Sequence, residues 1–322
     1  MKNMKAMLAG LVLPFTVMAA QAAEIYPDKP IRLVIPYAAG GTTDILGRVL
    51  AEKLGQSLGQ TIVVENKSGA NSMIGTSQVA RATPDGYTLL LTSNVVVINE
   101  FLYKSPTYHA LSDLVPIAPV ATTPYFLIVN SRLPVKSVAD FVGYVKSHPD
   151  GVAFGSSGTG GTPHLVGELF KLKTGTEFLH VPYKGTGPAT IDLASGQVQA
   201  MFVGLPSVDP FIKDGSMRIV ATAESERSEQ RPDIPTIKEQ GYPGVYASNW
   251  FGIIGPAALP PAVTKRLADA TAEIVKTNEF RQRMESLGAE PLAISSDQFK
   301  ALYNADRERW HDLIDANHLK LE

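Results

Sequence analysis

The chain has 322 residues, of which 44% are hydrophobic and 19% charged, and its formal net charge is −2 at pH 7. A chain of this length favours two domains, and the near-neutral charge, without a Lys- and Arg-rich stripe, excludes a nucleic-acid-binding surface. There is no cysteine, which excludes thiolate catalysis and cysteine metal sites.

The N-terminus has the pattern of a secretory signal. Two lysines precede an apolar stretch, residues 6–20, and small residues follow it. This pattern predicts a signal peptide over residues 1–23, cleaved near Ala22-Ala23, and therefore a periplasmic protein. An uncleaved membrane anchor is the alternative, but the apolar stretch is shorter than the ~20 residues that a spanning helix needs.

After this segment, apolar runs typical of strands alternate with amphipathic helical patterns. That order predicts an α/β fold with largely parallel sheets. The region from residue 261 to 322 is predicted to be helical. The predicted strands cover residues 31–37, 61–65, 87–92, 126–130, 152–156, 178–182, 200–203, 218–221 and 251–254.

Two of the predicted strands are followed by the same kind of turn. Gly40-Gly41-Thr42-Thr43-Asp44 follows the first strand, and Gly160-Gly161-Thr162-Pro163-His164 follows the fifth, with a helical pattern after each. Glycine lets the backbone approach a ligand closely, and a helix N-terminus presents unpaired N–H groups and the positive end of its dipole. Each turn is therefore a candidate anion site. In the second turn, Thr162 is the predicted N-cap and Pro163 the first helical residue.

The arrangement along the chain predicts two lobes. The segments 121–125 and 241–249 have the composition of crossing connections. We expect one lobe to contain residues 24–122 and 248–322, and the other to contain residues 123–247. Such a topology leaves a cleft between the lobes, and the connections can serve as hinges.

A series of short motifs identifies a family resemblance. They are Tyr26-Pro27-Asp28-Lys29-Pro30-Ile31, Pro36 to Asp44, Thr83-Pro84-Asp85-Gly86-Tyr87, Gly155 to Leu165, Val181-Pro182-Tyr183-Lys184-Gly185, Asp192-Leu193 with Gly196-Gln197-Val198, and Pro232-Asp233-Ile234-Pro235-Thr236. With them the mature chain resembles the periplasmic solute-binding proteins of the tripartite tricarboxylate transporters, often called Bug receptors.

This resemblance implies a two-lobed flytrap, a type II periplasmic binding protein. In such receptors, the loop after the first strand and the equivalent loop of the second lobe hold a ligand carboxylate through backbone amides and ordered water. The matching positions are Ala38 to Thr43 and Ser156 to Thr162. Ala39 departs from the family loop, which often has proline before Gly-Gly.

The candidate ligand-binding residues are those of the two loops, polar residues at other strand ends, and two aromatic residues. They are Tyr37, Ala38, Ala39, Gly40, Gly41, Thr42, Thr43, Asp44, Ser93, Asn94, Ser156, Ser157, Gly158, Thr159, Gly160, Gly161, Thr162, His164, Gly204 and Trp250.

Several of these residues have a structural interpretation as well. A single Gly-Gly turn is more often only a strand-to-helix turn, but here the turn occurs twice. Asp44 either meets the ligand or complements the helix dipole and pairs with Arg48, and His164 either reaches the cleft or packs against the sheet. Tyr37 and Trp250 either stack on a planar substrate or fill the core.

Enzyme motifs are incomplete. The segment Gly155-Ser156-Ser157-Gly158-Thr159 does not fit the Gly-x-Ser-x-Gly nucleophile turn of a serine hydrolase. Phosphate-binding and dinucleotide-binding glycine motifs do not occur, and the six histidines lack metal-ligand spacing. The sequence therefore predicts neither enzymatic activity nor a cofactor or metal ion.

The predicted function is capture of a small organic acid, such as an aromatic acid, a dicarboxylate or a tricarboxylate. The resemblance implies that the closed receptor delivers this acid to the membrane subunits of a tripartite transporter, and we expect a monomer. The alternative is an extracytoplasmic partner that presents its ligand to a sensor kinase, which would use the same fold and pocket.

Overall fold

A computed structural model describes residues 26–149, 151–228 and 231–316 of the chain. The predicted signal peptide, residues 1–23, lies outside the described residues. Among the helices that are described, none combines the length and the apolar character needed to cross a bilayer.

The first lobe is built on a six-stranded sheet. Its strands in chain order are β1 (Ile31–Ile35), β2 (Ile62–Asn66), β3 (Thr88–Ser93), β4 (Leu114–Pro124), β10 (Ser248–Pro256) and β11 (Glu290–Pro291). Across the sheet they lie in the order β11-β4-β10-β3-β1-β2.

The second lobe is built on a five-stranded sheet from the middle of the chain. Its strands are β5 (Phe126–Asn130), β6 (Ala153–Ser156), β7 (Leu179–Pro182), β8 (Ala200–Val203) and β9 (Met217–Thr222). Their spatial order is β7-β6-β8-β5-β9. The prediction of two α/β lobes is confirmed.

Helices cover both sheets. They are α1 (Thr42–Leu58), α2 (Met73–Ala80), α3 (Val95–Leu102), α4 (Val138–Ser147), α5 (Thr162–Thr174), α6 (Thr186–Ser195), α7 (Asp209–Lys213), α8 (Pro261–Val275), α9 (Asn278–Ser286) and α10 (Ser296–Ala316), with a 3₁₀ turn at Leu205–Ser207.

All nine predicted strands are present, but β4 and β11 are not among the predictions. β4 contains three prolines, which argue against a strand within a sheet. It nevertheless pairs along its length with β10, and shifts in register interrupt that pairing. The tertiary pairing therefore overrides the local signal.

The prediction of largely parallel sheets is wrong. β1 pairs in parallel with β2 and β3, and β6 pairs in parallel with β7 and β8. The pairs formed by β4, β5 and β10 are antiparallel. β4 leads into β5, and β10 brings the chain back to the first sheet. The strands that carry the chain between the lobes therefore run antiparallel to the strands beside them.

These crossing strands lie close to the predicted lobe bounds. β4 extends to Pro124 and pairs there with Ser248, the first residue of β10. The division at residues 122 and 248 stays a prediction.

The helices that follow the two glycine turns are held by apolar faces. In α1, Leu46, Leu50 and Leu54 are fully buried at four-residue spacing. In α5, Val166 and Phe170 are buried at the same four-residue spacing. Burial of one such side chain contributes roughly 1.5–3 kcal/mol, so this packing fixes where each helix begins.

Candidate functional site

The first glycine loop, residues 38–43, is anchored by Asp44. Gly40 has φ +79°, and its N–H donates to Asp44 Oδ2 at 2.9 Å. Arg48 Nε donates to the same oxygen at 3.1 Å, and Asn66 Nδ2 donates to Oδ1 at 3.0 Å. Burial acts to raise the pKa of Asp44, but the hydrogen bonds from Arg48, Gly40 and Asn66 outweigh it and the pKa is lowered. The Asp44 carboxylate thus holds the loop in place. Of the two interpretations of Asp44, ligand contact and a structural role, the structure agrees with the structural role.

The second glycine loop, residues 156–162, is anchored by neutral groups. Gly160 has φ +80°, and its N–H donates to His164 Nδ1 at 3.0 Å. The Gly158 N–H donates to Ser156 Oγ at 3.1 Å. His164 therefore does not point freely into the cleft; its ring stacks on that of His180 with centroids 3.8 Å apart.

The predicted capping of α5 is wrong by one residue. Gly161 is the N-cap, and Thr162 is the first helical residue. The Thr162 hydroxyl does not cap the helix, because it donates to Asn94 Oδ1 in the first lobe at 2.8 Å. A contact between lobes thus replaces a local one.

Further hydrogen bonds join the lobes at each loop. The Thr42 N–H donates to Thr186 Oγ1 at 3.1 Å, and the Ala38 N–H donates to the Lys184 carbonyl at 3.1 Å. At the second loop, the Tyr103 hydroxyl donates to the Thr159 carbonyl at 3.0 Å. Both glycine loops therefore face the opposite lobe.

A cavity of about 30 Å³ lies between the lobes and is bordered by both loops. This volume holds about one water-sized group, so an organic acid enters only if the lobes part. The lining consists of uncharged residues, mostly polar or aromatic. They are Tyr37, Thr42, Thr43, Ser93, Val95, Thr123, Tyr125, Ser157, Pro163, Thr186, Gly204, Asn249 and Phe251.

A much larger hollow, of about 760 Å³, lies on the outer face formed by α1 and β2. None of its lining residues belongs to either glycine loop. We assign the candidate site to the smaller cavity because two lobes, two helix starts and several buried polar side chains converge there.

The structure brings some of the predicted site residues to the cavity and places others behind it. Tyr37, Thr42, Thr43, Ser93, Ser157 and Gly204 line it. Asn94 and Thr162 do not line it, but they are joined by the hydrogen bond from the Thr162 hydroxyl to Asn94 Oδ1. The remaining predicted residues do not border the cavity: Ala38, Ala39, Gly40, Gly41, Asp44, Ser156, Gly158, Thr159, Gly160, Gly161, His164 and Trp250.

The backbone amides of the two loops are only partly available. Those of Gly40, Gly160 and Gly161 donate within their own loops or to the adjoining helix. Among the residues that the structure describes, the amides of Ala39, Gly41 and Thr43 have no acceptor, and neither do those of Thr159 and Thr162. The donors left for a ligand are therefore fewer than the sequence suggests, but they come from both lobes.

Trp250 belongs to the core. Its Nε1 donates to Asp306 Oδ2 at 2.9 Å, and its ring packs edge-on against Phe299. Because side chains alternate along a strand, Asn249 and Phe251 face the cavity instead. Tyr37 does reach the cavity, with its hydroxyl 3.2 Å from Ser93 Oγ.

Asn71 is a residue that the sequence reasoning missed. It lies in a run of three non-glycine residues with positive φ, Ala70 to Ser72, a conformation that is costly for each residue and is often found at functional sites. Asn71 Nδ2 donates to Asn99 Oδ1 at 2.7 Å. Its Oδ1 is buried without a partner among the described residues and lies where a Cβ on Gly161 would come within 3.1 Å. No pattern in the sequence signals this conformation.

A serine and a histidine do lie together near the second loop. Ser156 Oγ is 2.6 Å from His180 Nε2. Burial and the nearby His164 lower the pKa of His180 to about 3. Ser156 is fully buried and does not line the cavity, so its hydroxyl has no route to a substrate there. No cluster of metal-ligating side chains occurs within the described ranges.

The family model described as "Tripartite tricarboxylate transporter family receptor" matches residues 46–319. Protein BugT of Bordetella pertussis is 35% identical over 324 residues, which cover 100% of this chain and 99% of that protein.

Two solved structures are similar over most of the chain. The structure of R. palustris Rpa4515 with adipate has a TM-score of 0.88 and 33% identity, and the match covers 91% of this chain and 98% of that one. MatC from Rhodopseudomonas palustris with bound malate has a TM-score of 0.84 and 29% identity, with 90% and 100% covered.

Proposed function

We propose the following function for this chain, which belongs to the tripartite tricarboxylate transporter receptor family. As a periplasmic solute-binding receptor, it captures a small carboxylic acid between its lobes and presents the closed form to the membrane subunits of a transporter. The observation that carries the proposal is that both glycine loops border one cavity between two sheets, through Thr42 and Thr43 of the first and Ser157 of the second, and that each loop has amides without an acceptor among the described residues.

The cavity chemistry supports an anionic ligand. A hydrogen bond to a charged group contributes roughly 1.5–3 kcal/mol, and a helix N-terminus adds about 0.3–1 kcal/mol. A micromolar Kd corresponds to about −8 kcal/mol, so a few such donors and apolar contact with Phe251 and Val95 are of the right size. The relatives described with adipate and malate support a carboxylate as well.

Closure follows from contacts on both sides of the acid. A ligand shifts the equilibrium between open and closed lobes only by binding the closed form more tightly. Because one set of amides belongs to the first lobe and the other to the second, a carboxylate that contacts both stabilises the closed form. We propose binding without turnover, since the Ser156–His180 pair is sealed off from the cavity. The export signal over residues 1–23, the lobe bounds and the monomeric state are part of the same proposal.

The test is isothermal titration calorimetry of the purified protein with malate, adipate, citrate and benzoate. Gly41 and Gly161 have extended, negative-φ backbones, so alanine fits them locally. A Cβ would nevertheless lie 2.7 Å from Thr186 Oγ1 at Gly41, and 2.9 Å from Ser157 Oγ at Gly161. We expect at least one acid to bind with a micromolar or lower Kd, and both Gly41→Ala and Gly161→Ala to weaken it about 10-fold.

Gly143→Ala is the matched control, because a Cβ at this position of α4 has nothing within 4 Å. It should bind the acid as the unchanged protein does. If no carboxylate binds, or if binding survives both loop substitutions, the proposed site is wrong.

A further inference from the structure

Thr123 and Asn249 form a buried polar pair on the two strands that connect the lobes. They lie opposite each other in the register of β4 and β10, and both line the cavity. Thr123 is 0% exposed and Asn249 is 4% exposed. Within the part of the chain that the structure describes, Thr123 Oγ1 and Asn249 Oδ1 have no hydrogen-bond partner.

Such atoms are rare in folded proteins, because a buried polar atom without a partner is destabilising. Two of them lie on facing residues of one cavity, so a group that enters the cavity can supply the missing partner. The amide oxygen of Asn249 can only accept a hydrogen bond, so its partner must carry a donor. An ionised carboxylate has no donor to offer.

The absence of charge in the cavity lining favours a hydroxyl group over an ammonium group as the donor. Among the described residues that line the cavity, none is a carboxylate or a cation, and an ammonium group buried there would lose its hydration without a charged partner. A hydroxyl is neutral, and it can donate to Asn249 Oδ1 while it accepts from Thr123 Oγ1.

We propose that Thr123 and Asn249 form a hydroxyl subsite, so that the receptor prefers a hydroxycarboxylic acid to the same acid without its hydroxyl group. This inference rests on the proposed function and adds the class of ligand. The glycine loops hold the carboxylate, and Thr123 and Asn249 on the connecting strands form hydrogen bonds with the hydroxyl group. An amino acid of the same skeleton binds less tightly than the hydroxy acid.

The experiment measures affinities by calorimetry for pairs of acids that differ in one hydroxyl group: succinate and malate, glutarate and 2-hydroxyglutarate, tricarballylate and citrate. L-Aspartate completes the first pair. Since a site that hydrogen-bonds a ligand hydroxyl discriminates strongly against an analogue without it, we expect at least about 10-fold tighter binding of the hydroxy acid in the pair that fits.

Two substitutions and one control locate the preference. Asn249→Leu removes the acceptor with little change in size, and Thr123→Val removes the hydroxyl from an equally shaped side chain. Each should reduce the preference to about 3-fold or less, mainly by weakening the hydroxy acid. Thr76→Val is the matched control, because Thr76 is also 0% exposed with an unpartnered Oγ1 but lies on α2 away from the cavity. It should keep the full preference.

The outcomes separate this inference from the proposed function. Equal affinity for both members of every pair, or a preference that survives both Asn249→Leu and Thr123→Val, overturns the hydroxyl subsite while acid capture stands. Failure of every acid to bind contradicts both. Circular dichroism shows whether Asn249→Leu folds. If it does not fold, the affinities of Thr123→Val and of the unchanged protein for the paired acids still test the hydroxyl subsite.

Discussion

The first glycine loop, residues 38–43, is held in place by charged groups, whereas the second, residues 156–162, is held by neutral ones. In the first, the Asp44 carboxylate accepts from Gly40, Arg48 and Asn66. In the second, His164 and Ser156 accept from glycine amides. The two loops share the sequence Gly-Gly-Thr, and each leads directly into a helix. A similar backbone conformation is therefore stabilised by a carboxylate in one loop and by uncharged side chains in the other.

The loops differ as well in what they meet across the cleft. A Cβ on Gly187 would lie 2.7 Å from the Ala39 carbonyl and 3.2 Å from the Gly41 nitrogen. At the second loop, a Cβ on Gly161 would lie 3.1 Å from Asn71 Oδ1 across the cleft, and 2.9 Å from Ser157 Oγ and 3.2 Å from the Gly158 carbonyl within the loop itself. Across the cleft, Gly187 therefore packs against the backbone of the first loop, whereas the second loop meets the side chain of Asn71. We infer that closure is less tolerant of change at the first loop.

The largest predicted effect follows from that backbone contact. Gly187→Ala places a methyl group against the Ala39 carbonyl, which cannot move aside without shifting the first loop. We expect acid affinity to fall about 100-fold, compared with about 10-fold for Gly161→Ala, because the closed form becomes less accessible. Calorimetry with the tightest acid measures both. Equal losses at the two positions would remove the distinction between the loops.

A smaller effect is expected when the charged anchor is neutralised. Asp44→Asn should lower the free energy of unfolding by about 1–3 kcal/mol, because hydrogen bonds to a buried carboxylate are lost. Since the folded-state pKa of Asp44 is lowered from 3.8, its contribution is complete above that value and is lost as pH falls through the lower folded pKa. Urea unfolding at about pH 7 and at about pH 3 measures the loss, and the substituted protein should depend less on pH in this range. An unchanged pH dependence would show that Asp44 does not anchor the loop through its charge.

The smallest effect concerns the neutral anchor and lies in a different pH range. The pKa of His180, which contacts Ser156, is lowered from 6.5 to about 3. Its contribution to stability is therefore complete above pH 6.5 and is lost as pH falls from 6.5 toward 3, because the unfolded chain takes up the proton first.

Between about pH 7 and about pH 5 we expect a loss of about 1–2 kcal/mol from this histidine, and His180→Gln should remove it. Urea unfolding at the two pH values gives the difference. If the free energy of unfolding changes equally with pH in the unchanged protein and in His180→Gln, His180 is not a neutral support of the second loop.

The sequence predicted much of the fold because its signals are local. Strands such as β5 and β8 appear as continuous apolar runs, and both ranges agree with the structure residue for residue. The glycine turns also predicted where α1 and α5 begin to within one residue. β4 escaped prediction because its three prolines are tolerated only through irregular pairing with a strand that lies more than 120 residues later in the chain, which is a long-range condition.

The candidate site was predicted less completely, for a related reason. Thr42, Thr43, Ser93 and Ser157 follow from the ends of strands, and the structure places them at the cavity. Trp250 was chosen by residue type, but the direction of each side chain on β10 depends on its pairing with β4, which places Asn249 at the cavity instead. The left-handed conformation of Asn71 is imposed by its surroundings and leaves no pattern in the sequence.

The central claim is that both glycine loops hold one carboxylate. The most direct test is a crystal structure of the protein with the acid that binds most tightly. We expect one carboxylate group to accept hydrogen bonds, directly or through one water, from amides of residues 39–43 and of residues 157–162. An acid bound to one loop alone, or in the hollow beside α1 and β2, would contradict the claim.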